Sequence, residues 1–362
     1  MESSDSERSA ERPGISRRRL LGGAAGTLAA IPILHETLPH QGLHGQLASA
    51  AEKEGHKRAN GARSGTAHRG SAHSGPVGRV DPRANGFDPQ LILRDFDRGK
   101  LVREGRRTVR EFEIVAEDKE IEVAPGVKFA AWTYNGRVPG PTLRATEGEH
   151  LRINFVNGSK HPHTMHFHGI HPARMDGVPQ VAPGNIEPGG SFTYEFDAEP
   201  FGLHHYHCHT SPLASHIAKG LYGTFIVDPQ RDRPQADEMV MVMSGFDTNF
   251  DRANEVYVVN GVAFAYHDEP IRVKRGELVR IYLVNILEFD LINSFHLHAN
   301  FFDYYPTGTK LQPRDFTDTV ILGQGERGIL EVRFPFAGRF MFHAHVSEFA
   351  DLGWMGFFEV ED

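Results

Sequence analysis

A single cysteine serves this chain of 362 residues. One thiol cannot close an intramolecular disulfide, and it leaves a zinc ribbon or a thiolate-held iron-sulfur cluster without its ligands. Cys208 is therefore free, reactive, or one member of a mixed ligand set. Lysine and arginine form no dense stripe, and the formal net charge is -8, so nothing here calls for a nucleic-acid partner. No long helical period runs through the sequence, and its one sustained apolar stretch is too short and too rich in glycine and alanine to span a membrane. Against these absences stand 22 histidines.

That apolar stretch, "SRRRLLGGAAGTLAAIPIL" at residues 16–34, follows consecutive arginines. It resembles a twin-arginine export signal, which places the mature protein in the periplasm, at the cell surface or outside the cell. We assign residues 1–50 to the signal, with "ASA" at 48–50 as a cleavage site, and expect no membrane span in the mature chain. Residues 51–84 are rich in Gly, Ser, Ala, Arg and His without periodicity, the composition of a disordered linker.

Beyond residue 85 the texture changes. Short β-branched and aromatic runs, among them "REFEIVAED", "LRINFVN", "YGTFIVD" and "VRIYLVN", alternate with Gly, Pro, Asn and Asp, which predicts an all-β sandwich or barrel. The pattern also repeats. "YNGRVPGPTLRATEGEHLRINFVN" (134–157) is answered by "VNGVAFAYHDEPIRVKRGELVRIYLVN" (259–285), each with an Asn-Gly turn, an acidic Gly turn and a strand ending in Val-Asn. Two copies of one β domain follow, 85–230 and 231–362, joined near "DPQRDRPQAD".

Each copy carries two His-x-His pairs: His166 and His168, then His207 and His209; His296 and His298, then His343 and His345. One pair is weak evidence, because polar residues on a strand face share that spacing. Four pairs in duplicated positions point to metal. Cys208 sits inside one of them. On a strand, residues i and i+2 share a face and i+1 takes the other, so His207 and His209 face one site while Cys208 faces a second. His216, eight residues on, and His163, opposite in parity to His166 and His168, complete a His, Cys, His set of the blue-copper kind. Leu221 stands at the axial place, where it cannot donate; Met165 is the alternative axial contact.

On these motifs, "HPHTMHFHG" and "HCHTSPLASHIAKGL", the chain from about residue 85 onward resembles the two-domain multicopper oxidases, laccase-like relatives of the copper nitrite reductases. The resemblance implies two cupredoxin-like Greek-key domains in tandem and four coppers per chain. It places type 1 copper on His163, Cys208 and His216, type 2 on His166 and His296, and the type 3 pair on His168, His207, His209, His298, His343 and His345. It also marks Asp176 as an acidic residue near the type 2 copper able to relay protons, with Glu348 as a second relay candidate. In "FHAHVSEFADLGWMGFF" the type 1 positions are emptied: Ala344 for Cys, Phe349 for His and Trp354 at the axial place, with Asn293 for the remaining His. Type 1 copper is thus confined to the first domain. His161, His171, His204 and His205 fall outside both ligand sets.

The implied activity is one-electron oxidation of a phenol, aromatic amine or metal ion, coupled to reduction of dioxygen to water. Each domain offers four cluster histidines, so the resemblance implies trinuclear sites at the interfaces of a homotrimer. A copper nitrite reductase shares the two-domain plan but needs only a mononuclear second site, which leaves His209 and the complete pairs of the second domain without purpose. An electron carrier or copper store needs no such cluster, and storage favours Met- or Cys-rich surfaces, whereas this chain has 8 Met and one Cys.

Overall fold

The computed structural model describes residues 78–231 and 233–362. The expected export signal and most of the expected linker lie outside the described residues. Core packing begins a few residues before 85: Val80 is buried, and Asp81 caps a helical turn at Pro82–Asn85, its side chain accepting from the Arg83 amide.

The rest of the described chain is strands joined by turns and a few short helices, among them Leu213–Ala218, which carries His216. In the first domain, Lys100–Glu104, Arg107–Ala124, His150–Asn157 and Ser191–Asp197 form one sheet, with Val127–Tyr134 paired to Arg107–Ala124. Phe96–Asp97, Thr142–Thr146, Tyr222–Asp228, Gly202–His207 and His166–Phe167 form the other, in that order. Alternation decides which side chains meet between them. Phe112 and Ile114, Leu151 and Ile153, and Tyr194 and Phe196 face Leu143, Phe225 and Tyr206 in one buried cluster. Each such side chain contributes about 1.5–3 kcal/mol of burial energy.

The second domain repeats this plan. Asp237–Phe246 runs parallel to Leu278–Asn285 as Arg107–Ala124 does to His150–Asn157, and Tyr266–Lys274 runs parallel to Met355–Glu361 as Thr142–Thr146 does to Tyr222–Asp228. The repeated Asn-Gly turns share one conformation: Asn135 and Gly136 have φ of 54° and 68°, Asn260 and Gly261 have 57° and 87°. Two consecutive positive φ values make a type I′ turn, which suits asparagine followed by glycine. The strand Arg327–Arg333 ends two residues before Pro335, which has no amide hydrogen for the ladder.

A third buried cluster joins the domains. Leu203, Tyr222 and Ile226, on the outer face of the first domain's second sheet, pack with Val240, Tyr282, Tyr305 and Ile329. Beside it lies a charged network: Arg144 binds Asp228 through two hydrogen bonds of 2.8 Å and Glu238 at 2.7 Å, and Arg280 bridges Glu238 and Glu331. The first domain is fixed against the second by both.

Candidate metal centres

The strand Gly202–His207 ends one residue before Cys208, yet the extended path continues, since the Cys208 amide donates to the Leu221 carbonyl at 3.0 Å. The expected alternation of faces therefore holds through residue 209. Cys208 turns inward to a fully buried cluster, while His207 and His209 stack on the other side, their ring centroids 5.9 Å apart.

On the inward side three ligand atoms converge. Cys208 Sγ lies 3.3 Å from His216 Nδ1 and 3.9 Å from His163 Nδ1, and the two Nδ1 atoms are 3.1 Å apart. Hydrogen bonding fixes the His163 tautomer. Ser159 Oγ donates to Asp118 Oδ1 at 2.7 Å, so at 2.9 Å from His163 Nε2 it accepts the ring proton and leaves Nδ1 bare. Burial raises the Asp118 carboxyl, but hydrogen bonds from Ser159 and the Lys160 amide outweigh it and hold the group below its usual value. Burial pushes His163 down to about 3 and His216 down to about 4, so both rings are neutral. Burial likewise raises the Cys208 thiol, and the Thr164 amide points at its sulfur from 3.4 Å. Leu221 and Met165 are both fully buried in the cluster that holds Cys208.

The outward side holds a histidine group. His168 Nε2 and His207 Nε2 are 2.9 Å apart, and the His207 Nδ1–H donates to the Cys208 carbonyl at 2.8 Å. His166 Nδ1 donates to the Asp176 carbonyl at 2.8 Å, with the Asp176 carboxylate at 3.1 Å, so its Nε2 is the free atom. Burial lowers all three rings, His168 to about 2 and His207 to about 3.

The second domain reproduces this group almost contact for contact. His298 Nε2 and His343 Nε2 are 3.0 Å apart, and His343 Nδ1 donates to the Ala344 carbonyl at 2.7 Å. His296 is fixed through Nδ1 by the Asp318 carbonyl and Thr319 Oγ1, and His343 and His345 stack at 6.0 Å. Among the described residues, ring contacts join the first four histidines to each other and the second four to each other, but none crosses between the sets. The two groups are separate within one chain.

The donor chemistry fits copper at both kinds of site. A buried thiolate with two neutral imidazoles is the trigonal blue-copper set, and clustered imidazoles with bare nitrogens aimed at a common point suit copper bound by histidine alone. The emptied site in the second domain is also in place. The Ala344 amide donates to the Trp354 carbonyl as that of Cys208 does to Leu221, Asn293 is buried, and the Phe349 ring stacks 3.9 Å from Tyr257.

Asp176 stands beside His166, and His171 Nε2 approaches the same carboxylate at 3.6 Å. Glu348 is exposed at the start of the turn Ser347–Asp351, and among the described residues its side chain bonds to no cluster histidine. Sequence reasoning missed Ser159 and Asp118. The only available signal was the serine four residues before His163, since Asp118 arrives from a distant strand.

Comparisons with known proteins agree with this geometry. Two family models described as multicopper oxidase match residues 115–232 and 232–362. A solved structure described as a multicopper oxidase is 61% identical, covering 78% of this chain and all of its own, with a TM-score of 0.77. A copper nitrite reductase from Nitrosomonas europaea is 28% identical over 70% of this chain and 94% of its own, with a TM-score of 0.65. The copper-containing nitrite reductase of Neisseria meningitidis is 31% identical over 249 residues, 63% of this chain and 63% of that protein. The chain thus spans less than two thirds of the length of that curated relative.

Proposed function

The chain belongs to the multicopper oxidase family, and from that premise we propose that it is a laccase-like oxidase that takes single electrons from a phenolic, aromatic amine or metal-ion donor and reduces dioxygen to water. Copper bound at these sites would supply the redox chemistry, one ion on His163, Cys208 and His216 and three on the eight clustered histidines. The chain's own residues do the rest. Ser159 and Asp118 hold His163 with Nδ1 bare, and the Cys208 and Asp176 carbonyls orient His207 and His166. One peptide unit on either side of Cys208 joins the buried thiol to His207 and His209, so the two kinds of site share a covalent link. Asp176, whose carboxylate lies 3.1 Å from His166 Nδ1, is the residue we propose to relay protons; Glu348, exposed, is the weaker candidate.

The observation that carries this reading is the duplication of the four-histidine half-site. A nitrite reductase would need a mononuclear second site and would leave His209 and the His296 to His345 group without work. Because the half-sites lie apart within one chain, the assembly we propose is a homotrimer with first-domain and second-domain halves meeting at each interface. We further propose export by the twin-arginine route, from residues 1–50.

Oxygen uptake with a panel of donors, run beside nitrite consumption on protein of measured copper content, tests the proposal. We expect about four coppers per chain, on one mononuclear and one trinuclear site, together with oxygen uptake by a trimeric species in sedimentation. About two coppers per chain with nitrite turnover and no oxygen uptake would establish the reductase, and a fully active monomer would refute the shared cluster.

A further inference from the structure

Behind the first-domain half-site runs a row of buried polar side chains with no hydrogen-bond partners among the described residues. His205 follows the face of Gly202–His207 that carries His207, and its side chain is 1% exposed. Among the described residues, neither ring nitrogen of His205 has a hydrogen-bond partner. Opposite it on the next strand is Thr224, and Thr142, one residue before the Leu143 that pairs with Phe225, lies beside Thr224 on the strand after that. Both threonines are 1% exposed, and neither hydroxyl has a hydrogen-bond partner among the described residues. On the other side, the His168 amide donates to the His205 carbonyl at 3.0 Å, and the two rings lie against each other with centroids 3.7 Å apart.

Four adjacent strands thus bring Thr142, Thr224, His205 and His168 into one line across the sheet, about 14 Å long at the usual interstrand spacing of ~4.8 Å. The line is on the face turned toward the second domain, whose Arg327 closes it by donating Nε to the Leu203 carbonyl at 2.9 Å. A neutral imidazole presents one donor and one acceptor, and each hydroxyl adds a donor and two lone pairs. Buried polar groups are almost always satisfied, by water where no protein group serves. Three neighbouring exceptions in one layer are not three accidents.

We propose that this layer is an internal hydration site: a file of ordered water molecules bound to His205, Thr224 and Thr142, which braces the His205 ring against His168 and so fixes a cluster histidine from behind. His205 is a positioning residue. This is independent of which electron acceptor the cluster serves.

A crystal structure of the full-length, copper-loaded protein at a resolution that orders water should show waters bonded to a His205 nitrogen and to Thr224 Oγ1; a dry layer overturns the proposal. Thr224→Val and Thr142→Val, matched in shape, give an independent sign. If the hydroxyls hold water, the valines lower the melting temperature of the metal-free protein. An unchanged or raised melting temperature overturns it as well. His205→Phe keeps a flat ring on His168 but binds no water, and chelator-driven copper release from the histidine cluster should accelerate about tenfold while the cysteine-bound copper stays in place. Unchanged release would show that the row does not position His168.

Discussion

Ser159→Ala tests how the mononuclear site is built. Among the described residues, the Ser159 hydroxyl alone both accepts the His163 Nε2 proton and passes the hydrogen bond to Asp118, at 2.9 Å and 2.7 Å. Its removal leaves a buried N–H without an acceptor and frees the ring to place its proton on Nδ1, the nitrogen that faces Cys208 and His216. Asp118 keeps the Lys160 amide, so the carboxylate itself is not stranded. The cost falls on the ligand. Loss of such a supporting partner typically weakens metal binding 10–100-fold, or about 1.4–2.8 kcal/mol. Competition titration against a chelator of known copper affinity, read at the thiolate-to-copper absorption band, measures it directly. The eight cluster histidines are untouched, so the remaining copper content should not change. An unaltered affinity at the blue site would refute the tautomer argument, and equal losses at both kinds of site would show a folding defect.

Cys208→Ser should abolish the blue absorption and donor oxidation while the histidine cluster still loads; normal turnover in the colourless variant would break the link drawn through residues 207–209. Leu221→Met should lower the potential of the mononuclear site, because a thioether at the axial place favours the oxidised ion, and a redox titration showing no change would remove Leu221 from the axial position. Glu238 gives a pH test. Burial raises its carboxyl, but Arg144, Tyr282 and Arg280 outweigh burial and bring it down to about 2 from an ordinary 4.5. A depressed carboxyl stabilises the fold above its unfolded value and loses that contribution as pH falls from about 4.5 toward 2. Glu238→Gln should cost about 3 kcal/mol at neutral pH, in the manner of a broken buried ion pair, and should flatten the acid limb of the melting curve; parallel curves for both proteins would contradict this.

The duplication was legible in the sequence because turns and metal ligands are local: two Asn-Gly dipeptides, two Val-Asn strand ends and four His-x-His pairs need no tertiary information to be recognised. The two faces around Cys208 were legible for the same reason, since parity along an extended segment follows from the backbone alone. What lay beyond reach depends on strands far apart in sequence. Asp118 meets Ser159 across 41 residues, and Thr142, Thr224 and His205 align only once three strands take their register. The boundary at residue 85 rests on composition, which marks where small residues are dense; whether a single valine such as Val80 is buried depends on packing that composition does not carry.

The emptied site in the second domain shows which part of the pattern common to both domains is kept without the ligand atoms. The backbone hydrogen bond from residue 344 to 354 is kept, and so is the turn that returns the chain to the last strand, with the Trp354 amide donating to the Phe349 carbonyl at 2.8 Å as that of Leu221 does to His216 at 3.3 Å. The ligand atoms are gone, and hydrophobic volume has replaced them: Phe349 on Tyr257, and the indole of Trp354 against Phe295 and Phe342. An aromatic pair stacked in a buried site stabilises by about 0.5–1.5 kcal/mol beyond its area. A neutral imidazole set without metal offers no such gain. The second domain therefore keeps the turn for its geometry, because that turn presents His343 and His345, while aromatic rings fill its interior around Asn293 Nδ2 and Trp354 Nε1, which have no hydrogen-bond partner among the described residues. In the first domain the same turn must serve both purposes, which is why the one cysteine of the chain stands between two histidines.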